Sequence, residues 1–149
     1  MGIKQVTPQS EIDNFIESKI KQMRDVILHN LKYVAEEVLN TARTNGNYED
    51  QTGNLRHSVG YIIVENGATV LASADGEIKS GAGANGVKMG KKYAEQLAQK
   101  YTKGIVLIVY AGMNYASYVS AKGYDVLDSA ELTAEKLVPQ MLKQLGFKV

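Results

Sequence analysis

The chain has no cysteine, no tryptophan, two prolines, two phenylalanines and two histidines. Each scarcity removes something. Without cysteine there is no disulfide, no Fe–S cluster and no thiolate zinc site. The two histidines, His29 and His57, stand without an evident carboxylate cluster, which leaves little to hold a metal. Charge of one sign is also lacking: 17 Lys+Arg against 16 Asp+Glu gives a net charge of +1. A nucleic-acid module usually shows a basic face or a high pI, so the whole chain offers no electrostatic argument for DNA, a membrane surface or an acidic partner. No window approaches the roughly 18 apolar residues of a membrane span. Met1 to Thr7 hold no apolar stretch of the length a signal peptide needs. These absences predict a protein kept in the cytoplasm, or packed into a particle there.

What is present suits one domain. The chain has 149 residues, 44% apolar and 22% charged, ordinary values for a soluble globular protein with a single core. A long helix is predicted from Pro8 to Arg43. Thr7 caps it, Pro8 suits its first turn, and Glu11 favours the positive end of the helix dipole. Ile12, Phe15, Ile16, Ile20, Met23, Ile27, Leu31, Val34, Val38, Leu39 and Ala42 recur at three- and four-residue steps, a continuous apolar stripe. Such a helix is about 54 Å long. A compact domain of this size has a radius of gyration of about 15 Å. Either the helix bends or breaks near His29-Asn30, or one end overhangs the body and its stripe needs a partner.

Ser58 to Val64 reads as a strand, Asn66-Gly67 as a type I′ turn, and Thr69 to Ser73 as the returning strand. Residues 74–90 hold five of the fourteen glycines and read as a mobile loop, an insertion in the domain. Lys91 to Tyr101 is expected to be a short helix with Tyr93, Ala94, Leu97 and Tyr101 on one face. Ile105 to Tyr110 is the most apolar run and reads as a central strand buried on both faces. Asn114 to Ala121 is a short helix, and Tyr124 to Leu127 an edge strand. Asp128 with Glu131 makes a capping box for the last helix, whose stripe is Leu132, Leu137, Val138, Met141, Leu142 and Leu145. Pro139 should kink or break it. The order predicts an α+β fold: a long N-terminal helix and a C-terminal helix packed on a small, mostly antiparallel sheet.

No catalytic constellation emerges. Gly81-Ala82-Gly83-Ala84-Asn85-Gly86 matches G-x-G-x-x-G, but Asp75 to Ser80 before it is no buried strand. Gly90-Lys91-Lys92 resembles the end of a phosphate-binding loop but lacks its Ser or Thr. His57 and Ser58 are neighbours on an extended strand and point to opposite faces, which excludes a triad with Asp50. Glu36-Glu37, Glu49-Asp50 and Asp125 with Asp128 read as solvated faces and turns rather than a carboxylate pair across a cleft. Nine tyrosines are many for this length. Tyr110, Tyr115, Tyr118 and Tyr124 crowd one segment, and such rings serve either an interface or the cover of a small sheet. The expectation is a non-enzyme with no cofactor and no metal.

Two blocks carry a resemblance. Thr52-Gly53-x-Leu55-Arg56-x-Ser58, after the long helix and leading into the first strand, resembles a block of the gene-product-ten-like tail-component proteins of long-tailed bacteriophages, the tail-completion or neck proteins. Val109-Tyr110 followed by Tyr115-Ala116-Ser117-Tyr118-Val119 is similar to that family's second block, and Lys122 to Leu127 with a closing helix completes the order. Ser120 stands where family members often carry an acidic residue. The resemblance implies a non-enzymatic virion subunit at the head–tail junction or the tail end. It would be assembled in the host bacterial cytoplasm into a homo-oligomeric ring, with other phage neck or tail proteins as partners and no membrane. It singles out Thr52, Gly53, Leu55, Arg56, Ser58, Tyr110, Tyr115, Tyr118 and Tyr124 as motif or interface positions. The alternatives are a small soluble enzyme of unrecognised type and a DNA-contacting accessory protein using Lys79, Lys88, Lys91 and Lys92 for weak non-specific contact.

Overall fold

A computed structural model describes residues 8–44, 58–74, 81–112 and 127–148, with 81–87 by their backbone only. The elements in chain order are helix α1 (Gln9–Thr44), strands β1 (Val59–Glu65) and β2 (Ala68–Ala72), helix α2 (Gly81–Ala98), strand β3 (Ile105–Ala111) and helix α3 (Asp128–Gln144). The fold is α+β, with the long N-terminal helix and the C-terminal helix packed on a three-stranded antiparallel sheet of order β2-β1-β3.

The sheet is built outward from β1. Asn66 and Gly67 take positive φ of 51 and 86°, the type I′ geometry that folds β2 back along β1. Asn66 also binds Gly104 twice: its N–H donates to the Gly104 carbonyl, and its Oδ1 accepts the Gly104 N–H, each at 3.0 Å. The hairpin tip thereby holds the turn that starts β3. β1 and β2 slip register between Ile63 and Val64, where Val70 is the extra residue of a bulge.

Alternation along β1 divides the core in two. Val59, Tyr61 and Ile63 face α1 and α3, against Leu31, Val34, Ala35, Val38, Leu39, Ala42, Ala130 and Met141. Ile62 and Val64 face α2, against Ala94, Ala98, Ile108 and Tyr110. β1 is therefore the strand buried on both faces. The more apolar β3 is not the central one. Among the described strands it pairs only with β1, and most of its residues are half-buried. The hairpin puts β1 between its two partners, a matter of connection that side-chain polarity does not encode.

Other expectations are corrected. Residues 81–90, read as loop, form the first half of α2. The glycines lower helix propensity, but alanines and the packed second half carry the helix back through them. Gly90 is buried, and a Cβ there would lie 2.6 Å from the Gly112 Cα. Tyr93 and Tyr101 are exposed, and Ala94 and Ala98 make the inner face instead. The capping box at Asp128 is not formed. Leu127 is the N-cap, without a side-chain cap bond, and Asp128 and Glu131 lie in the first turn near the helix's positive end. α3 runs unbroken through Pro139. Leu132 is exposed because it sits five residues before Leu137, about 140° round the helix from the inner stripe. The helix expected over 114–121 and the strand expected from Tyr124 lie outside the described residues, Leu127 apart.

α1 is one continuous helix of 36 residues with no break at His29-Asn30. Its stripe residues from Ile16 to Ala42 follow four-three-four spacing, which averages ~3.67 residues per turn, close to the helix's own ~3.6. The stripe thus stays on one side along most of the helix.

A partly buried polar bond ties α1 to the inner face of β1. Tyr61, fully buried, donates its hydroxyl hydrogen to Glu36 Oε1 at 2.6 Å. Burial first, then the bond and charge of Glu36, hold its phenol well above the ordinary value of 10.0. A raised folded-state value favours the protonated form. Its stabilising effect is complete below pH 10 and is lost as pH rises above that, where the unfolded tyrosine ionises first. Unfolding measured across alkaline pH should therefore show stability falling above pH 10, and Tyr61→Phe should flatten that fall. At neutral pH the same substitution should cost about 1 kcal/mol.

Candidate functional site

α1 is longer than the body it packs on, and the sequence puts apolar residues along all of it. Leu31, Val34, Ala35, Val38, Leu39 and Ala42 are buried in the core. Toward the N-terminus the body thins. The last tight attachment is Arg24, whose Nε donates to Glu65 at the end of β1 at 2.6 Å. The hydrogen bond to Glu65 raises the Arg24 guanidinium further above its usual range, so the anchor keeps its charge. Leu145 and Phe147, beyond the end of α3, lie beside Met23, Val26 and Ile27 and enclose a groove of about 220 Å³. From that groove to the N-terminal end the stripe is bare: Phe15 is 63% exposed, Ile20 62% and Met23 57%, and Ile16 and Val26 are exposed as well.

Five large apolar side chains on about three turns of one helix face, open to water, form a contiguous patch. The flanking residues are charged. Glu11, Asp13 and Glu17 precede Lys19, Lys21 and Arg24. Lys19 Nζ sits 5.5 Å from the centre of the Phe15 ring, covering part of it by its stem and a cation–π contact. The expected overhang is thus present. Periodicity identified most of it, except Val26, and nothing in the sequence singled out the groove formed with Leu145 and Phe147.

The motif residues behave differently. Ser58 and Tyr110 are 1% and 7% exposed. Ser58 Oγ accepts the Gly112 N–H at 3.3 Å, joining the start of β1 to the end of β3. The Tyr110 ring lies across Gly60, where a Cβ would come within 2.6 Å of the Tyr110 hydroxyl oxygen. Gly60 and Gly90 give this ring its space. Both residues therefore organise one end of the sheet and present no surface in this chain. Thr52, Gly53, Leu55, Arg56, Tyr115, Tyr118 and Tyr124 lie outside the described residues, as does Lys79.

A second groove, of about 460 Å³, lies between β3 and α3, with Leu107, Val109, Leu127, Ala130 and Ala134 as its apolar lining and Glu131 and Glu135 as its acids. It holds no nucleophile and base together. Among the described residues no cluster of three or more His, Asp or Glu is placed to hold a metal ion, and no helix is long and apolar enough to cross a membrane. No family model matches the chain, and no curated protein or solved structure is detectably similar to it.

The division of α1 into packed and bare halves has a direct consequence. In dilute protein, Ile16→Ser and Ile20→Ser should each change unfolding free energy by no more than about 0.5 kcal/mol. On the buried half of the same stripe, Val38→Ala should cost about 2 kcal/mol. Gly60→Ala should cost about 1–3 kcal/mol, because the added methyl displaces Tyr110. Chemical denaturation of the four variants measures all of these.

Proposed function

We propose that this chain is a non-enzymatic assembly subunit of a tailed-phage virion, acting at the head–tail junction or the tail end. The observation that carries the reading is the bare half of the α1 stripe. It continues the apolar line that makes the core, yet nothing among the described residues covers it. A monomer gains nothing from exposing Phe15, Ile16, Ile20, Met23 and Val26 to water, whereas a subunit uses such a face for assembly. The phage assignment is supported by the Thr52 to Ser58 and Val109 to Val119 blocks and by the order of elements in which they fall. In the completed particle the subunit joins a homo-oligomeric ring and meets other neck or tail proteins. Ring closure needs heterologous contacts between different patches of neighbouring copies.

The glycine-rich segment expected to be a mobile loop is not free to serve assembly over residues 81–90. Those from Gly81 on belong to α2, and Gly90 packs on the end of β3. Deleting them would remove half of a helix that covers the sheet, and would test folding rather than assembly.

The reading is checked at the level of the genome. Sequencing the DNA that flanks this reading frame should show portal, capsid and tail-tube frames beside it. Metabolic genes alone on both sides would overturn the virion role.

A further inference from the structure

We infer that the bare half of α1 is covered by the same half of a second copy, in an antiparallel two-fold pair. The inference stands on the helix itself and does not depend on the virion reading.

The spacing of the stripe is the first argument. Ile12, Ile16, Ile20, Met23 and Ile27 step by four, four, three and four residues. Read from the other end, the steps are four, three, four and four. The pattern is its own reverse to within one residue. Two such helices laid antiparallel set Ile12 against the partner's Ile27 and Ile16 against its Met23, with the two Ile20 side chains meeting beside the two-fold axis. Each face then serves as both donor and receiver of side chains, the condition for an isologous contact.

Charge decides between the orientations. Glu11, Asp13, Glu17 and Lys19 lie on the N-terminal side of this axis, net negative, and Lys21, Arg24 and Asp25 on the other, net positive. The antiparallel pair brings the acidic stretch of each copy alongside the basic stretch of the other. Asp13 and Glu17 lie on the same flank of the stripe as Arg24, whose Nε is already held by Glu65, and that flank meets its own counterpart across the axis. A parallel pair sets the net negative stretch of one copy beside that of the other and the two net positive stretches together, which is less favourable.

The groove supplies a receptor. Lys19, Gln22, Met23, Val26 and Ile27 of α1 line one side of it, and Leu145 and Phe147 the other. In the antiparallel register this is where the partner's Phe15 and Ile16 arrive. The exposed tip of each helix therefore fills a depression on the other copy, and Phe147, itself 37% exposed, is covered by the same contact. A contact of this kind is complete at two copies. It shields the stripe in the free protein.

The absence of cysteine makes the arrangement testable by cross-linking in the full chain. Ile20→Cys places two thiols beside the axis and should give a disulfide-linked dimer on mild oxidation. Ile12→Cys places them about 22 Å apart along the helices, beyond disulfide reach, and should stay uncross-linked. Ile12→Cys combined with Ile27→Cys should cross-link between copies. Sedimentation of the unmodified chain from about 1 to about 100 µM should show a monomer–dimer equilibrium, and Ile16→Asp should weaken it at least tenfold without changing the circular dichroism spectrum. Cross-linking of Ile12→Cys alone as readily as Ile20→Cys would overturn the antiparallel register. A chain that stays monomeric throughout that range would overturn the pair, whatever the flanking genes show.

Discussion

The packing of one helix stripe on one strand face governs this molecule. Leu31, Val34, Ala35, Val38, Leu39 and Ala42 of α1 meet Val59, Tyr61 and Ile63 of β1, and α3 adds Ala130 and Met141 to the same layer. Without that layer the sheet would have one covered face and β1 half its burial. The second layer, α2 against Ile62, Val64, Ile108 and Tyr110, is smaller and uses alanines on the helix side. Alanine lets α2 approach the sheet closely, which is also why Gly90 can sit against Gly112.

The same stripe explains the overhang. Spacing near the helical period keeps apolar residues in line for the length of α1, but the body on which they pack spans only part of it. The core's requirement ends near Arg24, where the pair with Glu65 fixes the helix to the end of β1. A core-forming pattern continued beyond its core implies a second constraint acting on those residues. Association is the physical candidate, because only a partner removes the same area from water.

Much of the fold was legible in the sequence because it is periodic or local. The limits of α1, the Asn66-Gly67 turn and the two strands around it follow from side-chain alternation and turn chemistry acting within a few residues. What was not legible depends on contacts distant in sequence. The apolarity of Ile105 to Tyr110 identified a strand but not its neighbours, which are set by the hairpin and by the Asn66–Gly104 bonds. The glycines of 81–90 suggested a loop because the local preference for helix is weak there. The Ser58 and Tyr110 positions were recognised as significant, but their role in fixing the sheet end emerges only once Gly60, Gly90 and Gly112 lie beside them. The groove at Phe147 joins residues more than a hundred positions apart, which periodicity alone cannot bring together.

A bare apolar face must also be kept from indiscriminate contact. Around it stand Glu11, Asp13 and Glu17 and then Lys19, Lys21, Arg24 and Asp25, and an apolar surface that arrives without matching charge desolvates those beside the stripe that lack a partner within the chain, Arg24 being held by Glu65. Lys19 adds to this by lying over Phe15. It must move, or keep its ammonium in water, before the ring is buried. The apolar residues supply the attraction, while the segregated charges select the direction in which it is satisfied. That combination favours a specific partner over aggregation, and a copy of the same helix, reversed, has the required spacing and the required charge order together.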